Sequence, residues 1–204
     1  KTENEGKIQG NEVLFVKSKN IYNKGNMLGT TTKIESDESI NTGTIYGENT
    51  LNITSNLDNS GNIQSKKNID IAGNIINNNV IASGEKISLK SEKIENFKIL
   101  SSTDINLTAE TFSNSGEVTG EALNVNSSSG ENSGILYGKN SAVFDIKNEF
   151  KNDNLVQSLG DIALNSDKIT NTGNMFSGNN LTVNSSELLN KGQIVSDNNG
   201  KYNI

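Results

Sequence analysis

Carboxylates, hydroxyls, amides and a few aromatics are the side chains of this chain that could do chemistry. The usual bases and soft ligands are missing, because the 204 residues contain no Cys, no His and no Arg. Without imidazole or thiol, the plentiful Ser and Thr have no evident base beside them, and nucleophilic catalysis lacks support. The same absence removes the common transition-metal ligands, and no Gly-Gly-x-Gly-x-Asp calcium repeat is present. Glycoside hydrolysis would need two carboxylates about 5–9.5 Å apart across one bond. Polysaccharide elimination would need a strong base with clustered cations around an acidic sugar, whereas the Lys residues are scattered. Aromatic rings that stack on sugars form the remaining chemical option, at Tyr46, Tyr137 and Phe176.

The amides are the most organised of these groups. Asn recurs at Asn4, Asn23, Asn41, Asn59, Asn77, Asn96, Asn114, Asn132, Asn152, Asn171 and Asn190, at intervals of 18 to 20. Identical Asn side chains stacked one strand apart hydrogen-bond as a ladder along the stacking axis. Each Asn opens a heptapeptide Asn-x-Gly-x-apolar-x-Gly/Ser. The fifth residue of this motif is always apolar (Ile8, Met27, Ile45 and onward to Met175 and Ile194). The seventh is always Gly or Ser, as at a crowded corner. The third is Gly in eight units and Asn79, Lys98 or Asn154 in the others, which suggests a left-handed turn residue that Lys98 does not suit.

The elements that must position these residues are strands. Each unit continues with apolar residues two apart, such as Leu51 and Ile53, Ile87 and Leu89, or Leu181 and Val183, the period of a half-buried strand. A third apolar position precedes the next Asn, at residues such as Ile75, Phe112 and Ile169. The unit from Asn23 is out of step at Ile34 and Ile40, and the unit from Asn114 lacks the third apolar residue. In the 20-residue unit from Asn132, Phe144 and Ile146 take the paired positions and Phe150 the third, with a two-residue bulge; a helical spacing of Val143, Ile146 and Phe150 competes there.

Three short strands in about 18 residues, without an intervening helix, predict an all-β fold. It is a right-handed parallel β-helix of about ten coils, a rod on the order of 50 Å long at 4.8 Å per coil. A single coil buries too little apolar surface to offset its ordering entropy, so vertical neighbours must complete it. The absence of Pro fits strands paired on both sides. Disordered chains do not hold eleven apolar residues in register. Residues 1–204 are read as one continuous repeat domain, and the exposed coil edges at both ends suggest a segment of a longer rod.

On this frame the outward residues between paired apolar positions include Asp70 and Asp145, four coils or about 20 Å apart, too far to cooperate. Asp37 with Glu38, and Glu92 with Glu95, fall in corners and read as solvated surface. No catalytic residue, cofactor or metal site is assigned. A net charge of −6 and one adjacent basic pair, Lys66-Lys67, argue against nucleic acid as a partner. No membrane-inserting stretch or secretion signal occurs. Asn-x-Ser/Thr triplets such as Asn52-Ile53-Thr54 follow from strand alternation and are not read as glycosylation sites.

Units such as Asn41-Thr42-Gly43-Thr44-Ile45-Tyr46-Gly47 followed by Leu51-Asn52-Ile53, and Asn171-Thr172-Gly173-Asn174-Met175-Phe176-Ser177 followed by Leu181-Thr182-Val183, resemble the repeats of filamentous haemagglutinins. These are bacterial exoproteins exported by two-partner secretion. The resemblance runs from Asn4 to about Val195. It implies a shaft segment of a secreted, cell-surface adhesin or contact-dependent growth-inhibition filament, with other segments of the same filament as partners. It maps no active site onto the repeats. The family's Asn-Pro-Asn-Gly secretion signature is not in this Pro-free chain, so transport recognition is not placed here. Two readings follow: a passive spacer that displays a distal binding or toxin module, or a rod whose own face binds glycans or proteins on other cells through Tyr46, Tyr137 and Phe176.

Overall fold

The computed structural model describes all residues 1–204 as a right-handed parallel β-helix, with every strand in one continuous parallel sheet that winds around the axis. Vertical pairing runs from each coil to the next at the repeat interval, as in Ile69↔Ile87↔Ile105↔Leu123. Each coil presents three faces. The first follows the Asn-opened turn, the second carries the paired apolar positions, and the third leads back to the next Asn.

The predicted columns stack as cores do. Met27, Ile45, Ile63, Ile81, Leu100, Val118, Leu136, Val156 and Met175 are almost wholly buried on the first face. The second and third faces add pairs such as Ile105 with Leu107 and single residues such as Ile94 and Phe112, making one cluster of 36 buried apolar residues. No helix interrupts the winding. Six coils depart from the expected three short strands: Asn26–Asn41, Thr44–Asn59, Glu117–Asn132 and Ile135–Asn152 run through both corners, and Lys7–Lys17 and Asp104–Asn114 through one. Hydrogen bonding between coils continues around those corners, so only the turn after the ladder Asn reliably breaks the strand.

Three sequence expectations are corrected. The first is the left-handed turn at the third motif residue, which does not form: Gly73 alone has a left-handed φ, and it lies elsewhere in its coil. Glycine is favoured in the turn by close stacking. A Cβ at Gly43 would fall 2.1 Å from the Gly25 carbonyl oxygen of the coil below, and one at Gly61 would fall 2.1 Å from that of Gly43. Lys98 therefore violates no backbone rule.

Second, the coil from Asn132 has a different frame. Ala142 and Phe144 take the paired positions, against Leu123 and Val125, and Ile146 lies one strand position further on, against Ser127. The two extra residues are split between two corners, one between Gly138 and Ser141 and one between Ile146 and Glu149. Placing each insertion where the chain already bends keeps every strand in register.

Third, the coil from Asn23 is in step after all. Thr32 and Ile34 are the inward pair, both fully buried, and Ser39 fills the third position while Ile40 faces outward. The Thr32 hydroxyl donates to the Tyr46 carbonyl at 2.6 Å, which removes the cost of burying it. The coil from Asn114 does lack a third apolar side chain, as expected, and Gly130 fills the position, paired with Phe112 and Phe150.

Candidate functional site

The Asn residues at the start of the coils form one unbroken ladder. Each Nδ2 donates to the Oδ1 of the Asn in the following coil, from Asn4 to Asn23 at 2.7 Å through to Asn171 to Asn190 at 2.8 Å. Ten such bonds span the rod, each between 2.7 and 2.9 Å. The second Nδ2 hydrogen reaches backbone carbonyls, as when Asn77 donates to Ile99 and Asn96 to Glu117. Most of the Asn carbonyl oxygens accept two turn amides from the coil above, as Thr42 and Gly43 donate to Asn23, whereas Asn59, Asn77 and Asn132 accept one each, from Asn78, Phe97 and Asp153. No buried polar side-chain atom is left without a partner. This column fixes the turn geometry and the coil-to-coil register.

The small corner residues also have a chemical role. Gly47 and Gly138 sit where a Cβ would run into the carbonyls of Thr50 and Ser141, and Ser in the same column bridges the bend. The Ser177 hydroxyl lies 2.8 Å from the carbonyls of both Gly160 and Asn180 and shares its one proton between them, and Ser158 accepts from the Gly160 amide.

Tyr46, Tyr137 and Phe176 all point outward from one column of the first face and are half-buried by their neighbours. Tyr46 lies between Leu28 and Gln64, apart from the other two. Tyr137, Gln157, Phe176 and Val195 follow one another in four consecutive coils. Tyr137 and Phe176 thus share one strip rather than being scattered.

The acidic candidates do not converge. Asp70 faces outward between Asn52 and Ser88. Asp145 is in a different column from the one expected, a consequence of the reframed coil, and pairs with Asn126 and Asn165. It lines an open groove of about 470 Å³ at the corner between the second and third faces, together with Lys147, Asn165, Ser166 and Asp167. No three acidic side chains come together in a cation-binding group. The carboxylates with shifted protonation sit in surface pairs: hydrogen bonds from Lys33 and Lys17 lower Glu35, and one from Lys66 lowers Glu48.

Shorter amide ladders on the outside escaped the sequence reading. Asn203 donates to Asn184, Asn184 to Asn165, and Asn165 to the Asp145 carboxylate. Asn199 donates to Asn180 and Asn180 to Asp161. Their polarity opposes that of the buried ladder, since donation runs toward the N-terminal coils and ends on a carboxylate. The recurrence of Asn165, Asn184 and Asn203 at intervals of 19 was the available signal, masked by the abundance of Asn.

No protein-family model matches the chain, and comparison with curated proteins and with solved structures gives no match.

Proposed function

We propose that this chain is a shaft segment of a secreted bacterial filament of the filamentous-haemagglutinin type, carried on the cell surface and holding a distal binding or toxin module away from it. The observation that carries this reading is the buried Asn ladder, continuous through eleven coils and spanning roughly 48 Å at the 4.8 Å strand repeat. A ladder of that length supports stiffness, because bending the rod would strain ten short hydrogen bonds and the apolar columns beside them together. Repeating coils also suit a shaft whose length is set by adding units, each stabilised mainly by its neighbours. Export by two-partner secretion and a role in adhesion or contact-dependent inhibition belong to the same reading, and rest on the repeat resemblance.

Antibodies raised against the purified chain test it. They are expected to label filaments on the outside of intact producing bacteria. Labelling that appears only after the cells are permeabilised would sink the shaft reading.

A further inference from the structure

We infer that the first face of the last four coils is a binding site for a linear, neutral polysaccharide lying along the rod axis. Tyr137 and Phe176 are stacked in one column with Gln157 between them, and Val195 continues it. The parallel column two residues away begins with Ile135 and Leu155. It goes on as Asn174 and Gln193, both exposed. The strip therefore combines apolar surface with amide groups on one face of the sheet.

That combination suits a sugar polymer. Aromatic faces pack against the apolar C–H faces of pyranose rings, while amides donate to and accept from the hydroxyls at the ring edges. Tyr137 and Phe176 are two coils apart, about 9.6 Å on the 4.8 Å repeat, so an extended glycan can place alternate rings on them with Gln157 reaching the linkage between. The strip has no charged residue among its eight outward positions, in a chain where Lys, Asp and Glu make up 42 of 204 residues. Charge complementarity thus selects a neutral polymer over a sulfated or uronic one.

The dimensions favour a thread-like ligand over a second copy of the chain. Between Cα columns the strip measures roughly 14 Å along the axis and 7 Å across. That lies far below the roughly 800 Å² per partner of a stable protein interface. Tyr46 serves as the internal control: it occupies the same column five coils away, but with Leu28 and Gln64 as neighbours and no second aromatic ring within reach.

The site and the shaft role are separate claims, because binding by the purified chain tests only the site and surface labelling tests only the shaft. The whole 204-residue chain would be titrated calorimetrically with hexamers of β-1,4-linked glucose, mannose and N-acetylglucosamine. At least one hexamer is expected to bind saturably at one site, with its disaccharide at least tenfold weaker. Tyr137→Ala and Phe176→Ala should each weaken binding tenfold or more at unchanged circular dichroism, Tyr137→Phe should largely retain it, and Tyr46→Ala should leave it unaltered. The proposal is overturned if none of the hexamers binds, if Tyr46→Ala weakens binding as much, or if a sulfated oligosaccharide binds tighter with steep salt dependence. It is equally overturned if the alanine variants act by converting a self-associated chain into monomers.

Discussion

Gly130 lacks a side chain where Phe150 of the next coil has a large one, and a Cβ on Gly130 would lie 3.2 Å from Phe150 Cδ2 and 3.4 Å from Ile146 Cδ1. Phe150 in turn stacks on Phe144 with ring centroids 5.5 Å apart. Phe112 of the preceding coil is paired with Gly130 on its other side, so the glycine sits between two aromatic residues in the third-face column.

Restoring the usual apolar residue at this position should therefore damage the rod. Gly130→Ile is expected to destabilise by about 1–3 kcal/mol through overpacking. Phe150→Leu alone leaves a cavity and also destabilises. The double variant should recover part of both losses, a coupling that thermal melts of the four proteins measure as a double-mutant cycle. Simple additivity would disprove the complementarity of the pair.

The turn glycines give a second comparison within one motif position. Gly43→Ala places a methyl group against the Gly25 carbonyl and should cost roughly 1–3 kcal/mol, whereas Lys98→Ala, at an exposed residue of the same motif position that already carries a Cβ, should lie within about 0.5 kcal/mol of wild type. Equal effects at the two sites would show that the glycines are needed for something other than close stacking.

Breaking the ladder at its middle should be severe. Asn96→Ala leaves the Asn77 Nδ2 and the Asn114 Oδ1 without their partner, which predicts a loss of about 2–5 kcal/mol. Asn96→Asp has the same shape but buries a carboxylate, whose pKa burial raises. With the folded value above the unfolded one, its contribution is intact at low pH and is lost as pH climbs through the folded pKa. The Asp variant should thus melt closer to wild type at pH 4 than at pH 8. A pH-independent deficit would refute a desolvated carboxylate at that position.

The surface pairs predict the opposite sign. Glu35 is held below the ordinary Glu value of 4.5 by hydrogen bonds from Lys33 and Lys17. Any stability it contributes is present above pH 4.5 and fades as pH falls through its lowered value. A carboxyl-carbon NMR titration should find the Glu35 midpoint below that of exposed glutamates, and the double variant Lys17→Ala, Lys33→Ala should return it toward 4.5. An unshifted wild-type midpoint would mean that these pairs do not persist in solution. No Lys, Asp or Glu is buried, so the core itself offers acid no titratable group.

The fold was legible because its periodicity is one-dimensional. Eleven Asn residues and the apolar residue four positions after each announce coils, stacking and ladder together, since only a solenoid brings residues 18 to 20 apart side by side throughout. Exceptions were misread wherever shape overrode type. Thr32 and Ser39 looked like breaks but are buried in core positions, and the coil from Asn132 was framed on Phe144 and Ile146 when the small Ala142 was the inward partner.

The repeat, the parallel winding and the buried amide column were already written in the chain, because each depends on residue type at a fixed interval. Tertiary structure decided which neighbouring side chains share a space, how two inserted residues are divided between corners, and that Tyr137 and Phe176 lie in one uncharged strip with Gln157. Those outcomes depend on volumes and carbonyl positions in adjacent coils, and such three-dimensional packing is not encoded in the spacing of any single residue type.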